Sequence, residues 1–428
     1  MTETYLKRAQ PRPAEEQQAL TERVAGMLDQ IAATGEAAVA DFARALDGWD
    51  GEIVLSRAEL DRAAARVPDQ LRDDIRFAHQ NIRRFAEAQR STLNDMQVEL
   101  MPGMWAGQKQ IPVTAAGCYV PGGRYTHISS ALMTVTTARV AGVSQVVAAS
   151  PPRQGAGIPD AVLYAMDLAG ADTILALGGV QAVAAMAGGL FGTRPADVLA
   201  GPGNAFVAEA KRQLFGAHGI DMFAGPTDVL IVADSSADAD TVAWDLISQA
   251  EHGPDSPVWL VTDDRALAEA VLRRAPELAA QLPEVNAAAA RTAWDERAEV
   301  ILCAGRDEMA AVADRYAPEH LHVQARDLDW WLGRLRVYGA LFLGAETTVA
   351  FGDKAAGPNH VLPTSGAARY TGGLSVQKFI KTVTWQRCDT RGMVPLAEAT
   401  ARISRLEGMA GHATAAELRL KKGTVPAQ

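Results

Sequence analysis

Cysteine is scarce: Cys118, Cys303 and Cys388 are the only three in 428 residues, and no two stand in CxxC spacing. That argues against a disulfide framework and against a thiolate metal site. Cys118 lies in a glycine-rich stretch where a catalytic thiol has a place, although burial as a small hydrophobe is the commoner use of cysteine. Also missing is any uninterrupted apolar run of about 18 residues. The opening Met1-Thr2-Glu3-Thr4-Tyr5-Leu6-Lys7-Arg8 lacks the apolar core of a signal peptide. The chain therefore reads as cytoplasmic, with no membrane partner. No basic stripe stands against the net charge of -10, so no nucleic-acid partner is expected and an anionic ligand needs a local basic pocket. The GxGxxG dinucleotide fingerprint is absent as well.

What is present is an ordinary globular composition, 48% hydrophobic and 21% charged. A chain this long predicts two or three domains. The stretch 15–110 reads as helices: a helical period runs from Ala19 to Leu46, breaks at Asp47-Gly48 and resumes after Ser56, with Glu59 in capping-box position. From Gly117 the texture changes to short apolar runs at 145–149, 173–177, 197–200 and 228–232, with helical stretches such as 130–141 and 180–189 between them. Runs at 258–262, 299–303 and 339–343 form a second set. Apolar strands separated by helices predict parallel sheets covered on both faces, an α/β fold of two doubly wound, Rossmann-like lobes. Glycine clusters at the strand ends, Gly122-Gly123, Gly178-Gly179, Gly201-Pro202-Gly203 and Gly225-Pro226, suit ligand-binding turns, though glycines there also serve as plain turns.

The stretch Ser248-Gln249-Ala250-Glu251-His252 ends a helical pattern, so Gln249 and His252 fall three apart on one face. That face has the spacing to hold a metal, but a helix-end histidine near the negative end of the dipole is the plainer reading. Of eight histidines, four lie in this segment or in Glu319-His320, Asn359-His360 and Glu407 to His412.

Taken together, Gly117-Cys118-Tyr119-Val120-Pro121-Gly122-Gly123, Gly201-Pro202-Gly203-Asn204, Gly225-Pro226-Thr227-Asp228, Ser248 to His252, Pro318-Glu319-His320-Leu321 and Asn359-His360-Val361-Leu362-Pro363-Thr364 resemble the histidinol dehydrogenase family over essentially the whole chain. The resemblance implies zinc held by Gln249, His252, Asp353 and His412, the last reaching across a homodimer from the partner's tail. It implies NAD contacts at Tyr119, Gln181 and Asn204, and substrate contacts at Thr227, His360 and Glu407. Two successive oxidations of a primary alcohol follow from it, with His320 as the base and Glu319 activating water on the aldehyde. The division it suggests is an arm over 1–21, a first lobe over 22–112 and 233–372, a second lobe over 113–232, and a dimer-swapped tail over 373–428.

Several positions depart from the histidinol-oxidising pattern: Arg124-Tyr125-Thr126-His127 after the double glycine, Lys354 beside Asp353, Thr227-Asp228 in place of Ser-Glu, and Leu374 to Gln386. These departures resemble the sulfopropanediol 3-dehydrogenase branch, which implies a sulfonated diol as substrate. Arg124, His127 and Lys354 are the candidate sulfonate contacts, because an acidic protein must place donors locally to bind an anion.

Overall fold

The structure, a computed structural model, describes residues 3–10, 17–123, 125–222 and 225–423. In chain order a first strand β1 (Thr4–Lys7) precedes four helices, α1 (Gln17–Thr34), α2 (Glu36–Phe42), α3 (Arg57–Arg66) and α4 (Asp69–Ser91). A hairpin, β2 (Met96–Met101) and β3 (Met104–Pro112), then leads to β4 (Ala115–Tyr119), α5 (Ile128–Ala141), β5 (Gln145–Ser150), α6 (Asp160–Ala169), β6 (Thr173–Ala176), α7 (Gly179–Gly188), β7 (Val198–Ala200), α8 (Ala205–Leu214) and β8 (Gly219–Ile220). After these come β9 (Val229–Ala233), α9 (Ala239–Ala250), β10 (Val258–Thr262), α10 (Arg265–Ala279), α11 (Glu284–Arg297), β11 (Glu299–Leu302), α12 (Arg306–Tyr316), β12 (His320–Gln324), α13 (Leu328–Arg334), β13 (Ala340–Leu343) and α14 (Val349–Lys354). The last elements are β14 (Ile380–Cys388), α15 (Thr390–Leu406) and α16 (Ala410–Gly423).

The chain divides into two compact units, 1–90 with 113–379, and 91–112 with 380–428. The first unit holds two parallel sheets with helices between successive strands, as the apolar runs predict. A five-stranded sheet has the order β6-β5-β4-β7-β8, and a six-stranded sheet the order β1-β11-β10-β9-β12-β13. In the second sheet only the edge strand β1 runs antiparallel, and it covers one open edge with residues expected to be a loose arm. The inner strands are buried on both faces: every residue of β4, β9 and β12 is buried. That is why they read as continuous apolar runs rather than alternating ones.

Two local readings hold: Ser56 and Glu59 form a capping box, and the helical period ends in a π-helical turn at Ala43–Asp47 stopped by left-handed Gly48. Cys118, however, lies on the central strand β4 and is wholly buried. Burial pushes its thiol up to about 12, so it is a core residue and not a nucleophile.

The grouping of segments differs from the expected lobes. Strand β9, expected to close the 113–232 lobe, lies inside the other sheet between β10 and β12. The helices α1, α2 and α3, expected with the lobe containing 233–372, pack on α6, α7 and α8 of the five-stranded sheet. Residues 96–112, expected to be helical, form the hairpin whose β3 pairs along its length with β14. The expected 373–428 tail therefore contains only part of the second unit, because β2 and β3 supply two of its three strands.

Among the described residues no helix is long and apolar enough to cross a membrane.

Candidate active site

The six-stranded sheet brings the first pair of groups together by register alone. Parallel pairing sets His320 opposite Val229, so the residues just before them, Glu319 and Asp228, stand side by side at the N-terminal ends of β12 and β9. Each carboxylate accepts the other's backbone N–H: Asp228 N to Glu319 Oε2 is 3.0 Å, and Glu319 N to Asp228 Oδ1 is 2.7 Å. Burial first, and the neighbouring Glu319 charge second, push Asp228 up to about 7. Burial likewise raises Glu319. Two carboxylates this close and this dry do not both ionise freely.

His320 is buried, and its Nδ1 lies 2.8 Å from the Asp228 carbonyl oxygen. A carbonyl only accepts, so Nδ1 carries the proton and Nε2 is the free nitrogen of the neutral ring. Nε2 has no hydrogen-bond partner among the described residues, and its nearest charged neighbour is Asp353 Oδ1 at 3.7 Å. Burial alone depresses this imidazole, but the Glu319 and Asp353 carboxylates outweigh it and push His320 up to about 9.

Thr227 links this pair to α9. Its hydroxyl donates to Glu319 Oε2 at 2.5 Å and accepts from Gln249 Nε2 at 2.5 Å. With the amide nitrogen so engaged, Gln249 has its oxygen left for another partner. His252, two residues beyond the end of α9, points Nε2 toward Asp353 Oδ2, 3.9 Å away. Burial opposes the charge on Asp353, but contact with His320 and the charges of His360 and His252 hold it well below the usual carboxylate range. Burial pushes both His252 and His360 down, His360 to about 4. His360 donates from Nδ1 to the Asp353 carbonyl oxygen at 3.0 Å and accepts the Ser130 hydroxyl at Nε2, 2.9 Å.

Gln249, His252 and Asp353 fit a zinc ion as donors. Neutral or depressed imidazole, an ionised carboxylate and a free amide oxygen are all ligand-competent, and the 3.9 Å between His252 and Asp353 is close to the roughly 3.3 Å that separates ligands sharing one tetrahedral zinc. Among the described residues no group of three His, Cys, Asp or Glu side chains is placed to hold a metal. These three donors do not complete a tetrahedron, and the glutamine counts as one of them.

Around these groups is a cavity of about 440 Å3, lined by Thr227, His252, Glu319, His320, Asp353 and His360 and also by His127 and Ser130. Four of its lining residues, Pro121, Gly122, Gly203 and Asn204, also line a second cavity of about 350 Å3, which contains Tyr119, Gln181 and Asp47. The two cavities are thus neighbours across the glycine turns that follow β4 and β7. Tyr119 Oη accepts the Gly179 N–H at 3.1 Å, and Gln181 Nε2 donates to Asp47 Oδ2 at 2.9 Å. Gln181 Oε1 is buried without a partner among the described residues. Asn204 Oδ1 caps α8 by accepting the Phe206 and Val207 N–H groups. Gly178 has no room for a side chain, since a Cβ there would lie 2.6 Å from Asp47 Oδ1. Gly201, at φ 118°, would drive a Cβ into the Tyr119 carbonyl.

The remaining expected contacts divide. His127 lines the larger cavity, and burial pushes it down to about 4. Lys354 does not line it: as the residue after Asp353 it is turned roughly 100° around α14 and is exposed, though its charge helps depress His127, His252 and His360. Arg124 lies outside the described residues. Glu407 and His412 belong to the second unit, where Glu407 caps α15 and is exposed. His412 lines a hollow there with Met393, Thr400 and Arg419. Reading from sequence missed Asp47, Ser130 and the partner role of Asp228. Only Asp228 left a signal, as one of the departures flagged at Thr227-Asp228.

A sequence model of the family described as histidinol dehydrogenase matches residues 10–420. The chain belongs to that family. It is accordingly an NAD-dependent dehydrogenase. Among histidinol dehydrogenase family members, a histidinol dehydrogenase homolog of Ruegeria pomeroyi is 66% identical over 422 residues, covering 99% of this chain and 98% of its own. A sulfopropanediol 3-dehydrogenase of the same organism is 61% identical, covering 99% and 97%. The crystal structure of histidinol dehydrogenase from Elizabethkingia anophelis superposes with a TM-score of 0.90 at 32% identity, over 96% of this chain and 94% of that one.

Proposed function

We propose that this dehydrogenase oxidises 2,3-dihydroxypropane-1-sulfonate through the aldehyde to 3-sulfolactate, using zinc and two NAD in succession. The observation that carries the reading is His320, whose buried Nε2 has no partner among the described residues and which lines a cavity that adjoins a second, glycine-walled one. A base on the wall of one cavity can take a hydroxyl proton from a substrate held there while hydride passes to a nicotinamide reaching in from the adjoining one. The choice of a sulfonated diol over L-histidinol is supported by the 61% identity to a relative named for that substrate. It is also supported by His127, a donating side chain on the wall of the larger cavity.

Gln249, His252 and Asp353 would hold zinc, which would supply a Lewis acid for the substrate oxygen and a charge to offset the pull of Asp353 on His320. Every other part is played by the chain. His320 holds its Nδ1 proton against the Asp228 carbonyl and so presents Nε2 as the acceptor for the alcohol proton. Glu319, raised by burial and held by Thr227, then takes a proton from the water that adds to the aldehyde. A second hydride transfer, from the hydrated aldehyde to the second NAD with His320 again taking the hydroxyl proton, yields the carboxylic acid, which ionises to the carboxylate. In the same reading the fourth ligand, His412, and the substrate contact Glu407 come from a partner chain in a homodimer. The support is that Ile403, Leu406 and Met409, which flank Glu407, are exposed, Leu406 by 91%. An apolar group of this kind is best covered by another surface.

Product analysis tests the reading. The zinc-loaded enzyme should form two NADH for each diol consumed and release sulfolactate, whereas one NADH with free aldehyde would remove Glu319 from the second step.

A further inference from the structure

Three segments carry the groups at this site: α9 with Gln249 and the following His252, β12 with the adjacent Glu319 and His320, and α14 with Asp353. One half-buried carboxylate joins all three. Asp245 lies on α9 four residues before Gln249, hence on the same helix face. Its Oδ2 accepts from Gln324 Nε2 at 2.7 Å and lies 3.4 Å from His322 Nδ1. Its Oδ1 accepts from the Thr348 hydroxyl at 2.8 Å.

Each partner leads directly to the site. His320, His322 and Gln324 alternate along β12 and therefore share one face of the strand. The contacts to His322 and Gln324 consequently fix the face that presents His320. His322 is locked from its other side, because Nε2 donates to the Gly344 carbonyl at 3.0 Å. Thr348 is the N-cap of α14, where its hydroxyl accepts the Ala350 N–H. Asp245 thus holds the cap of the short helix whose fifth residue is Asp353. His322 is fully buried and Gln324 nearly so, and a helix face that packs on an inner strand ordinarily carries apolar groups. A polar cluster there costs desolvation unless it is satisfied, and its geometry is then narrowly defined.

We propose that Asp245 is the positioning residue of the metal site, setting Gln249, His252 and Asp353 at ligand spacing by tying α9 to β12 and to the cap of α14. The inference rests on the reading that those three residues bind zinc.

Asp245→Ala and Thr348→Val, each prepared as full-length enzyme, test it by zinc competition against a chelator and by the visible spectrum of the cobalt-substituted protein. Asp245→Ala should lose about ten- to a hundredfold in zinc affinity, the range seen when residues supporting metal ligands are removed, and should shift the cobalt bands. The KM for NAD should stay within about twofold of the parent, because the cavity containing Tyr119 and Gln181 is built on the other sheet. A general loss of packing would move both. Thr348→Val removes only the hydroxyl that joins Asp245 to α14 and should lose severalfold in zinc affinity. Zinc held as tightly as in the parent by Thr348→Val, or by a folded Asp245→Ala, overturns the proposal while leaving the zinc reading intact. A parent enzyme that binds no zinc overturns both.

Discussion

His320 illustrates how much two contacts can decide at the scale of one residue. The Asp228 carbonyl fixes which nitrogen keeps a proton, and the absence of a partner at Nε2 among the described residues leaves the other for chemistry. His320→Gln should therefore slow both oxidations by about two to four orders of magnitude, the usual worth of a general base. Glu319→Gln should slow the oxidation of added aldehyde much more than that of the alcohol, measured as separate single-turnover rates. Equal slowing of the two steps would contradict the water-activating role. His252→Ala should lose zinc as well as activity, read by metal analysis after desalting, and a variant that keeps one tightly held zinc per chain would show that the ligand set is wrong. The side chains at these positions were legible in the sequence because they fall in short motifs, but their state was not. Only the pairing of β12 with β9 buries Glu319 and His320 and sets Asp228 against them. Lys354 was misjudged for a related reason: adjacency in sequence placed it with Asp353, whereas one step along a helix points it elsewhere.

At the scale of elements, the turn after β7 depends on a buried ion pair between Lys211 on α8 and Asp221 just after β8. Lys211 Nζ donates to the Gly201 carbonyl at 2.9 Å and to Asp221 Oδ1 at 2.5 Å, while Asp221 Oδ2 accepts the Gly201 N–H at 2.7 Å. Both side chains are almost fully buried. Lys211→Met leaves Asp221 uncompensated and should cost about 3–5 kcal/mol in denaturant unfolding. It should also weaken NAD binding, because Gly201 opens the turn leading to Gly203 and Asn204 in the smaller cavity. Adding Asp221→Leu should recover much of the stability, since an apolar pair of similar volume replaces the ion pair. Stability unchanged in Lys211→Met would contradict the role given to the pair. Most inner strands were readable as apolar runs bounded by glycine. The exceptions have physical causes. β4 contains Gly117 and runs into a glycine turn, so it read as a loop. β12 carries His320, His322 and Gln324 on one buried face, a polar stripe that strand patterns do not anticipate. β2 is mostly exposed and β3 mostly half-buried, and neither gave an apolar run to read.

For the whole molecule, two doubly wound sheets follow from the alternation of apolar runs and helices, but which segments join which sheet does not. A strand such as β9 is equally apolar in either sheet, and only its partners β10 and β12 assign it. The proposed division of the site between chains belongs to this scale too. If His412 completes the zinc site of a partner, then mixing His412→Ala with His252→Ala enzyme should regain activity, because hybrid dimers contain one site with neither substitution. After subunit exchange has been demonstrated by mass, no regain would mean that each site is built within one chain. The larger cavity and the family together define a dehydrogenase, and the substrate is the claim on which the account turns. The most direct measurement is the specificity constant of the zinc-loaded enzyme for 2,3-dihydroxypropane-1-sulfonate against that for L-histidinol, followed as NADH formation. The account predicts a preference for the sulfonate of roughly tenfold or more, the least that one well-placed charged contact contributes, and a higher kcat/KM for L-histidinol would contradict it.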